Sequence, residues 1–208
     1  KELPLCFENM AEVRKAVELF SKTMEPVLLN GENGTGKECI AQAIHRQSRN
    51  SDRFFVKINC SFRQARAIHS QLFQDTEKKS LESENLSRVV DEKVVYLSNI
   101  ESLSKGMQKK LAEALRPKSL QSSDSHLKLM PIRIFASSRK DLVALSEKGQ
   151  FLPALLNVFK DSILFVPPLR DYPANIPALI KYYMEESRQT QKTSIPEISE
   201  DALAALCS

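Results

Sequence analysis

One stretch of eight residues constrains this chain more than anything else in it. Gly31, Glu32, Asn33, Gly34, Thr35, Gly36, Lys37 and Glu38 follow the apolar run Val27, Leu28, Leu29 and precede Cys39, Ile40, Ala41, Gln42, Ala43 and Ile44. The apolar run reads as a short buried strand and the second segment as a helix. The glycines between them permit a tight turn that points several backbone N–H groups at one spot. The helix N-terminus adds its partial positive charge there, and Lys37 adds a full one. Together these make a cradle for the phosphates of a nucleoside triphosphate. One position departs from the general pattern: a Ser or Thr hydroxyl normally follows the lysine to hold magnesium, and this chain has Glu38.

A length of 208 residues with 42% hydrophobic content is enough for one sizeable α/β core and the beginning of a second, smaller unit. The net charge of +4 is mild and its signs are interleaved, which gives little support for direct nucleic-acid binding. Cys6, Cys39, Cys60 and Cys207 lie far apart with no C-x-x-C pair, so neither a zinc site nor a disulfide framework is indicated. No apolar run approaches the roughly 18 residues of a membrane span, and no charged-then-apolar leader is expected. A cytoplasmic protein without membrane contact is expected. The chain starts at Lys1 and stops within a helical pattern over 200–206, and it is expected to be a domain of something longer.

Further strands are predicted at 54–58, 94–97, 132–136 and 163–166, each a short run rich in β-branched and aromatic residues. Helical spacing occurs at 11–20, 41–48, 107–115, 141–147 and 176–186. Strands alternating with helices predict a parallel five-stranded sheet sandwiched by helices, an α/β fold. Residues 74–92 are rich in Glu, Lys and Ser and read as an exposed helix or insertion; 117–125 read as a loop. The expected division is an α/β nucleotide-binding subdomain over 1–168 and the start of a helical lid over 169–208.

Taken together, these segments resemble the AAA+ domain of NtrC-like bacterial enhancer-binding activators, which work on sigma-54 RNA polymerase. Residues 31–38 read GENGTGKE against the family's GESGTGKE, so that Glu38 is a family trait. Residues 41–45 resemble its AxAIH, 55–60 its FVxVNC, 71–73 its ELFG, and 165–170 its LPPLR. The resemblance covers essentially the whole chain. It implies a P-loop AAA+ fold, ATP or ADP with magnesium as cofactor, and self-association between dimer and hexamer. It also implies RNA polymerase as a partner, and promoter DNA contacted through a domain outside this chain.

The departures from the family fall on its working parts. Its Walker B strand reads TLFLDEIGEL, whereas 94–103 here read VVYLSNIESL. Ser98 offers magnesium only a neutral hydroxyl, and Asn99 cannot take a proton from water. The lesser reading is that Glu101 substitutes from one turn further on. The GAFTGA loop that grips sigma-54 has no counterpart in 74–94, which contain no glycine. The family's GxFREDLYYRLNVFPI is here GQFLPALLNVF, with Leu152 and Ala154 in place of an arginine and an aspartate. No arginine finger is left in that stretch. The family's sensor I reads AATN or AATH followed by a basic residue and DL, and 136–142 here read ASSRKDL, so that Arg139 replaces the polar side chain that positions water and is read as a phosphate contact or a solvated residue.

This pattern is that of a degenerate member that keeps the cradle, with Ser98 and Arg139 beside it, and loses efficient ATP hydrolysis. It would act as a ligand-sensing assembly platform. A similarly degenerate biofilm regulator uses cyclic di-GMP, for which Arg46, Arg133 and Arg139 are the candidate contacts here. The alternatives are a slow ATPase that drives sigma-54-dependent activation and an oligomerisation module with an empty phosphate loop.

Overall fold

The computed structural model describes residues 10–61, 69, 72–75, 93–116, 127–129, 133–191 and 198–207. In chain order its main elements are α1 (Ala11–Ser21), β1 (Val27–Asn30), α2 (Lys37–Arg46), β2 (Phe54–Asn59), β3 (Phe73–Asp75) and β4 (Lys93–Ser98). There follow α3 (Lys105–Ala114), β5 (Leu127–Leu129), β6 (Arg133–Ser138), α4 (Leu142–Glu147), α5 (Pro153–Val158) and β7 (Ile163–Phe165). The helices α6 (Ile176–Gln191) and α7 (Glu200–Cys207) close the series.

Five strands form one parallel sheet in the order β2-β4-β6-β1-β7. Side chains alternate between its faces, as the pleat requires. Val27, Leu29, Val94, Tyr96 and Phe135 pack on Val13, Val17 and Phe20 of α1 and Ile40 and Ile44 of α2. Leu28, Val95, Leu97, Ile134 and Ala136 pack on Met107 and Leu111 of α3, together with Phe151, Leu155 and Phe159 around α5. Helices therefore cover both faces, and the near-continuous apolar strands are the consequence of burial on both sides. Parallel strands place all their C-terminal ends at one edge. The register keeps three of those ends level, with Ser137 of β6 opposite both Leu29 of β1 and Ser98 of β4.

All five sheet strands lie within a residue or two of their predicted spans. Helix α2 starts four residues earlier than its apolar spacing indicates, because Gly36 takes φ 79° and turns the loop directly into the helix. Ser104 and Asp141 cap α3 and α4: Ser104 Oγ accepts from the Met107 N–H and Asp141 Oδ1 from Val143 and Ala144. Two features escape the sequence reading. Residues 153–158 form α5, with proline at its first turn, where its missing N–H costs nothing. Gln74 and Asp75, expected to open an exposed helix or insertion, instead lie in β3, antiparallel to β5. A three-residue strand carries too short a pattern to announce itself. The remainder of that segment, 76–92, and the 117–125 loop lie outside the described residues. No helix among the described residues is long and apolar enough to cross a membrane.

Candidate functional site

The loop 31–36 joins β1 to α2 at the C-terminal edge of the sheet. Gly34 and Gly36 have φ of 77° and 79°, a region that a β-carbon disfavours. Gly31 is required for another reason, since a β-carbon there would lie 2.4 Å from the carbonyl oxygen of Val166. Its N–H donates to the Ser138 carbonyl, and the Asn30 side chain donates to the Lys140 carbonyl at 2.8 Å. Loop, β6 end and β7 end are thus tied together.

Within the loop, Lys37 Nζ donates to the Gly31 carbonyl at 2.8 Å, to the Glu32 carbonyl, and to Thr35 Oγ1 at 3.4 Å. Thr35 Oγ1 in turn donates to the Glu32 carbonyl. Burial holds the Lys37 ammonium below the ordinary lysine range; nearby Glu101 opposes that shift and Arg139 adds to it. Glu32 forms a two-pronged pair with Arg170, at 2.8 and 2.6 Å, and hydrogen bonds from that guanidinium lower its pKa. Glu38 turns away along the first turn of α2, pairing with Lys57 of β2 and accepting from Gln42. Asn33 is exposed at the tip.

Across β6, strand β4 ends at Ser98. Asn99 follows in the left-handed region, φ 56°, where asparagine is better tolerated than most residues. Its amide donates to Asn59 Oδ1 at 3.1 Å, an oxygen that also accepts the Ser61 N–H. That link makes Asn99 a hydrogen-bond donor fixed to the end of β2. The reversal leads into a single 3-10 turn, Ile100–Ser102. It leaves the Glu101 side chain only 3% exposed, with Arg139 Nε 3.8 Å from Oε1. Neither oxygen of Glu101 has a hydrogen-bond partner among the described residues. The donor set is compatible with a nucleotide-bound magnesium: Ser98 offers a hydroxyl at the strand end, and Glu101 an orphaned carboxylate.

The structure therefore brings Lys37, Glu101 and Arg139 into one electrostatic group, with Ser98 and Asn99 at the adjoining strand end. It separates the other two candidate arginines from it. Arg133 opens β6 at the opposite edge of the sheet, is 1% exposed, donates to the Phe20 carbonyl and lies 4.8 Å over the Phe135 ring. Burial pushes its pKa down to about 10. Arg46 ends α2, a helix length from the loop. A contact for cyclic di-GMP built from all three is thereby excluded, because only Arg139 stands at the phosphate end. The contributions of Asn59, Lys57 and Arg170 had no separate sequence signal beyond membership of their motifs.

A profile of the sigma-54 interaction domain matches residues 6–161. The chain belongs to the sigma-54 interaction domain family. Among its relatives, the DNA-binding transcriptional activator HyfR of Escherichia coli is 33% identical over 209 residues, covering 97% of this chain and 31% of HyfR. The Nif-specific regulatory protein of Herbaspirillum seropedicae is 28% identical, covering 95% of this chain and 37% of that protein. The chain thus spans about a third of the length of these relatives. NtrX of Brucella abortus, solved with ADP and with ATP, matches with a TM-score of 0.76 at 23% identity, over 96% of this chain and 45% and 46% of NtrX. That likeness establishes the fold.

Proposed function

We propose that this chain is the nucleotide-binding AAA+ domain of a bacterial transcription regulator, one that holds ATP or ADP and hydrolyses it slowly if at all. The observation that carries this reading is the contrast between a complete phosphate loop and its neighbours. Ser98 ends β4 and Asn99 follows it, neither of them a carboxylate, and residues 149–159 contain no arginine. Residues 31–38, with Lys37 as the phosphate cation, are the proposed cradle, and Ser98 and Arg139 its flanks. We assign the base to a cavity of about 220 Å³ lined by Met10, Val13, Leu164, Phe165, Pro167 and Tyr172; Phe165 and Pro167 flank Val166 in sequence, and Gly31 packs against the Val166 carbonyl. In this reading residues 1–168 form the nucleotide-binding subdomain and 169–208 begin a helical lid.

Such a domain regulates by assembly. A ligand with different affinity for two assembly states shifts their populations without hydrolysis. We take the oligomer to lie between dimer and hexamer, RNA polymerase to be the partner, and promoter DNA to be met by a domain outside this chain. A motor that remodels sigma-54 needs both a gripping loop and a working trigger, and the sequence of 74–94 offers no GAFTGA-like grip. A second reading, a module whose loop stays empty, draws on Lys37, whose ammonium is satisfied by its own loop.

Calorimetric titration with ATP and with cyclic di-GMP, followed by phosphate release over hours, separates these readings. ATP binding with negligible turnover supports the proposal, and turnover typical of a motor refutes it. No binding of either ligand leaves the empty module. On reconstituted promoters, activation by the full-length regulator that requires sigma-54 and hydrolysable ATP would overturn the assembly mechanism.

A further inference from the structure

A carboxylate that is buried, and that no hydrogen-bond donor among the described residues meets, needs an account. Moving such a group out of water is strongly unfavourable unless charges or hydrogen bonds replace the lost hydration. Glu101 is in that position: its side chain is 3% exposed and both oxygens lack hydrogen-bond partners among the described residues. Nearby charge is present, but not in contact. Arg139 Nε stands 3.8 Å away, and Lys37 feels Glu101 from the phosphate loop while bonding to loop oxygens. Cys60, buried behind it, offers no donor of consequence, and the Glu101 charge helps to hold its thiol up at about 12, after burial.

The local backbone accounts for the position. Ser98 ends β4 level with Ser137 and Leu29, so that this edge is the one from which the phosphate loop departs. Asn99 then reverses the chain at φ 56° and is pinned by Asn59. The 3-10 turn that follows directs Glu101 back toward the loop, so a carboxylate absent from the strand end returns three residues later.

We propose that Glu101 is the carboxylate ligand, directly or through one water, of the divalent cation that accompanies a bound nucleoside triphosphate. The inference rests on the nucleotide-binding reading above. Magnesium at such sites takes one or two carboxylates, the rest of its shell coming from phosphates and water. Among the described residues there is no group of three or more acidic, histidine or cysteine side chains that could cage a cation unaided. One carboxylate next to a phosphate cradle is the arrangement that needs the nucleotide to complete it. The rival account is that Glu101 merely neutralises Lys37 and Arg139, and the two differ in sign. A ligand to the cation favours bound Mg–ATP; a bare counter-ion repels the phosphates whether or not magnesium is present.

The test is calorimetry of ATP binding to the intact protein, in magnesium and in EDTA, for the unmodified chain and for Glu101→Gln, with thermal melting to verify folding. Magnesium should strengthen ATP binding in the unmodified protein, and Glu101→Gln should reduce that enhancement by roughly tenfold or more. In EDTA the variant should bind ATP as well as the parent or better, since an anion has been removed. An equal change in both conditions overturns the proposal and leaves the counter-ion. ATP binding by neither protein in either condition overturns the nucleotide reading itself, and this inference with it. A measurement that needs no substitution guards against misfolding of the variant. Pulsed electron paramagnetic resonance of Mn(II)–ATP on protein carrying carbon-13-labelled glutamate carboxyls should show a manganese–carbon coupling, and its absence refutes the assignment.

Discussion

The loop after β1 and the turn after β4 flank the same strand, β6, at the same edge of the sheet, yet they are finished differently. In the loop, the side chains meet local partners: Lys37 meets carbonyls, Thr35 a carbonyl, Glu32 the guanidinium of Arg170, and Glu38 Lys57 and Gln42. In the turn, Asn99 is pinned to Asn59 but Glu101 has no hydrogen-bond partner among the described residues. Under the proposed function, the loop receives the phosphates and the turn, with Ser98 and Asn99 at its start, lacks the groups that would act on them while keeping one charge in an unusual place. Binding and turnover would then be separable, because they would reside in two different segments.

The largest effect expected from that separation is a failure of repair. Ser98→Asp alone should strengthen magnesium-dependent ATP binding by about 1–3 kcal/mol, the range for an interaction with a charged group. Adding Asn99→Glu restores a base at the strand end. Phosphate release by the double variant should nevertheless stay low, because no arginine in 149–159 neutralises the charge that grows on the γ-phosphate, a shortfall of roughly 10³–10⁵ in rate. Fast hydrolysis by the double variant would collapse the contrast, since it would mean that the turn alone limits the chemistry.

The loop is challenged next. Lys37→Ala should weaken ATP binding by about 2–3 kcal/mol, the worth of a charged hydrogen-bond partner, while melting temperature changes little. Lys37 bonds to loop carbonyls rather than to core groups, so the fold does not depend on it. Unchanged calorimetric affinity would move the nucleotide elsewhere and leave the loop empty.

These two segments also differ in how far they can be read from sequence. Gly34, Gly36 and Lys37 announce their conformation locally, since only glycine enters that backbone region freely and the flanking strand and helix carry their own periodicity. The strands were legible for the same reason: burial on both faces leaves runs such as 94–97 apolar throughout. Glu101 could be seen as an acid but not as a buried one. Its burial depends on the left-handed turn at Asn99 and on a hydrogen bond to Asn59, forty residues away, neither of which has a local signal. Arg133 failed in the opposite way. Its charge marked it as a ligand contact, while strand register put it at the far edge beneath α1. Helix α5 was hidden because Gly149 and Pro153 punctuate the segment, and proline at a first turn starts a helix as readily as it ends one.

A subtler change probes how tightly the loop is fitted. Gly31→Ala adds a β-carbon 2.4 Å from the Val166 carbonyl oxygen, which is backbone and cannot rotate aside. Overpacking of that kind costs about 1–3 kcal/mol. It should appear as a lower denaturation midpoint together with weaker ATP binding, because the same contact couples β7 to the loop. The comparable substitution in the turn, Asn99→Gly, relieves a left-handed conformation and should cost less than about 1 kcal/mol beyond the loss of the Asn59 hydrogen bond. A denaturation midpoint unmoved by Gly31→Ala would show that the loop tolerates displacement, and its contrast with the turn would weaken accordingly.

The smallest effect belongs to the pair between Glu32 and Arg170. Both side chains are more than half exposed, and exposed ion pairs contribute little to stability, so Arg170→Ala should leave the melting temperature where it is. Its consequence is local. Arg170 holds the Glu32 carboxylate through two hydrogen bonds and lowers its pKa. Without that partner the pKa returns toward the ordinary carboxylate range, and Glu32 is still ionised at neutral pH. A free anion at the mouth of a phosphate site repels the ligand, and ATP affinity should fall by a few-fold at most. Salt decides whether that account is right, because screening shortens the reach of an exposed charge to roughly 3 Å at 1 M. The deficit should fade as ionic strength rises and vanish when Glu32→Gln is added. A deficit that persists in high salt, or survives the second substitution, would mean that Arg170 contacts the nucleotide itself and that the loop does not complete its own electrostatics.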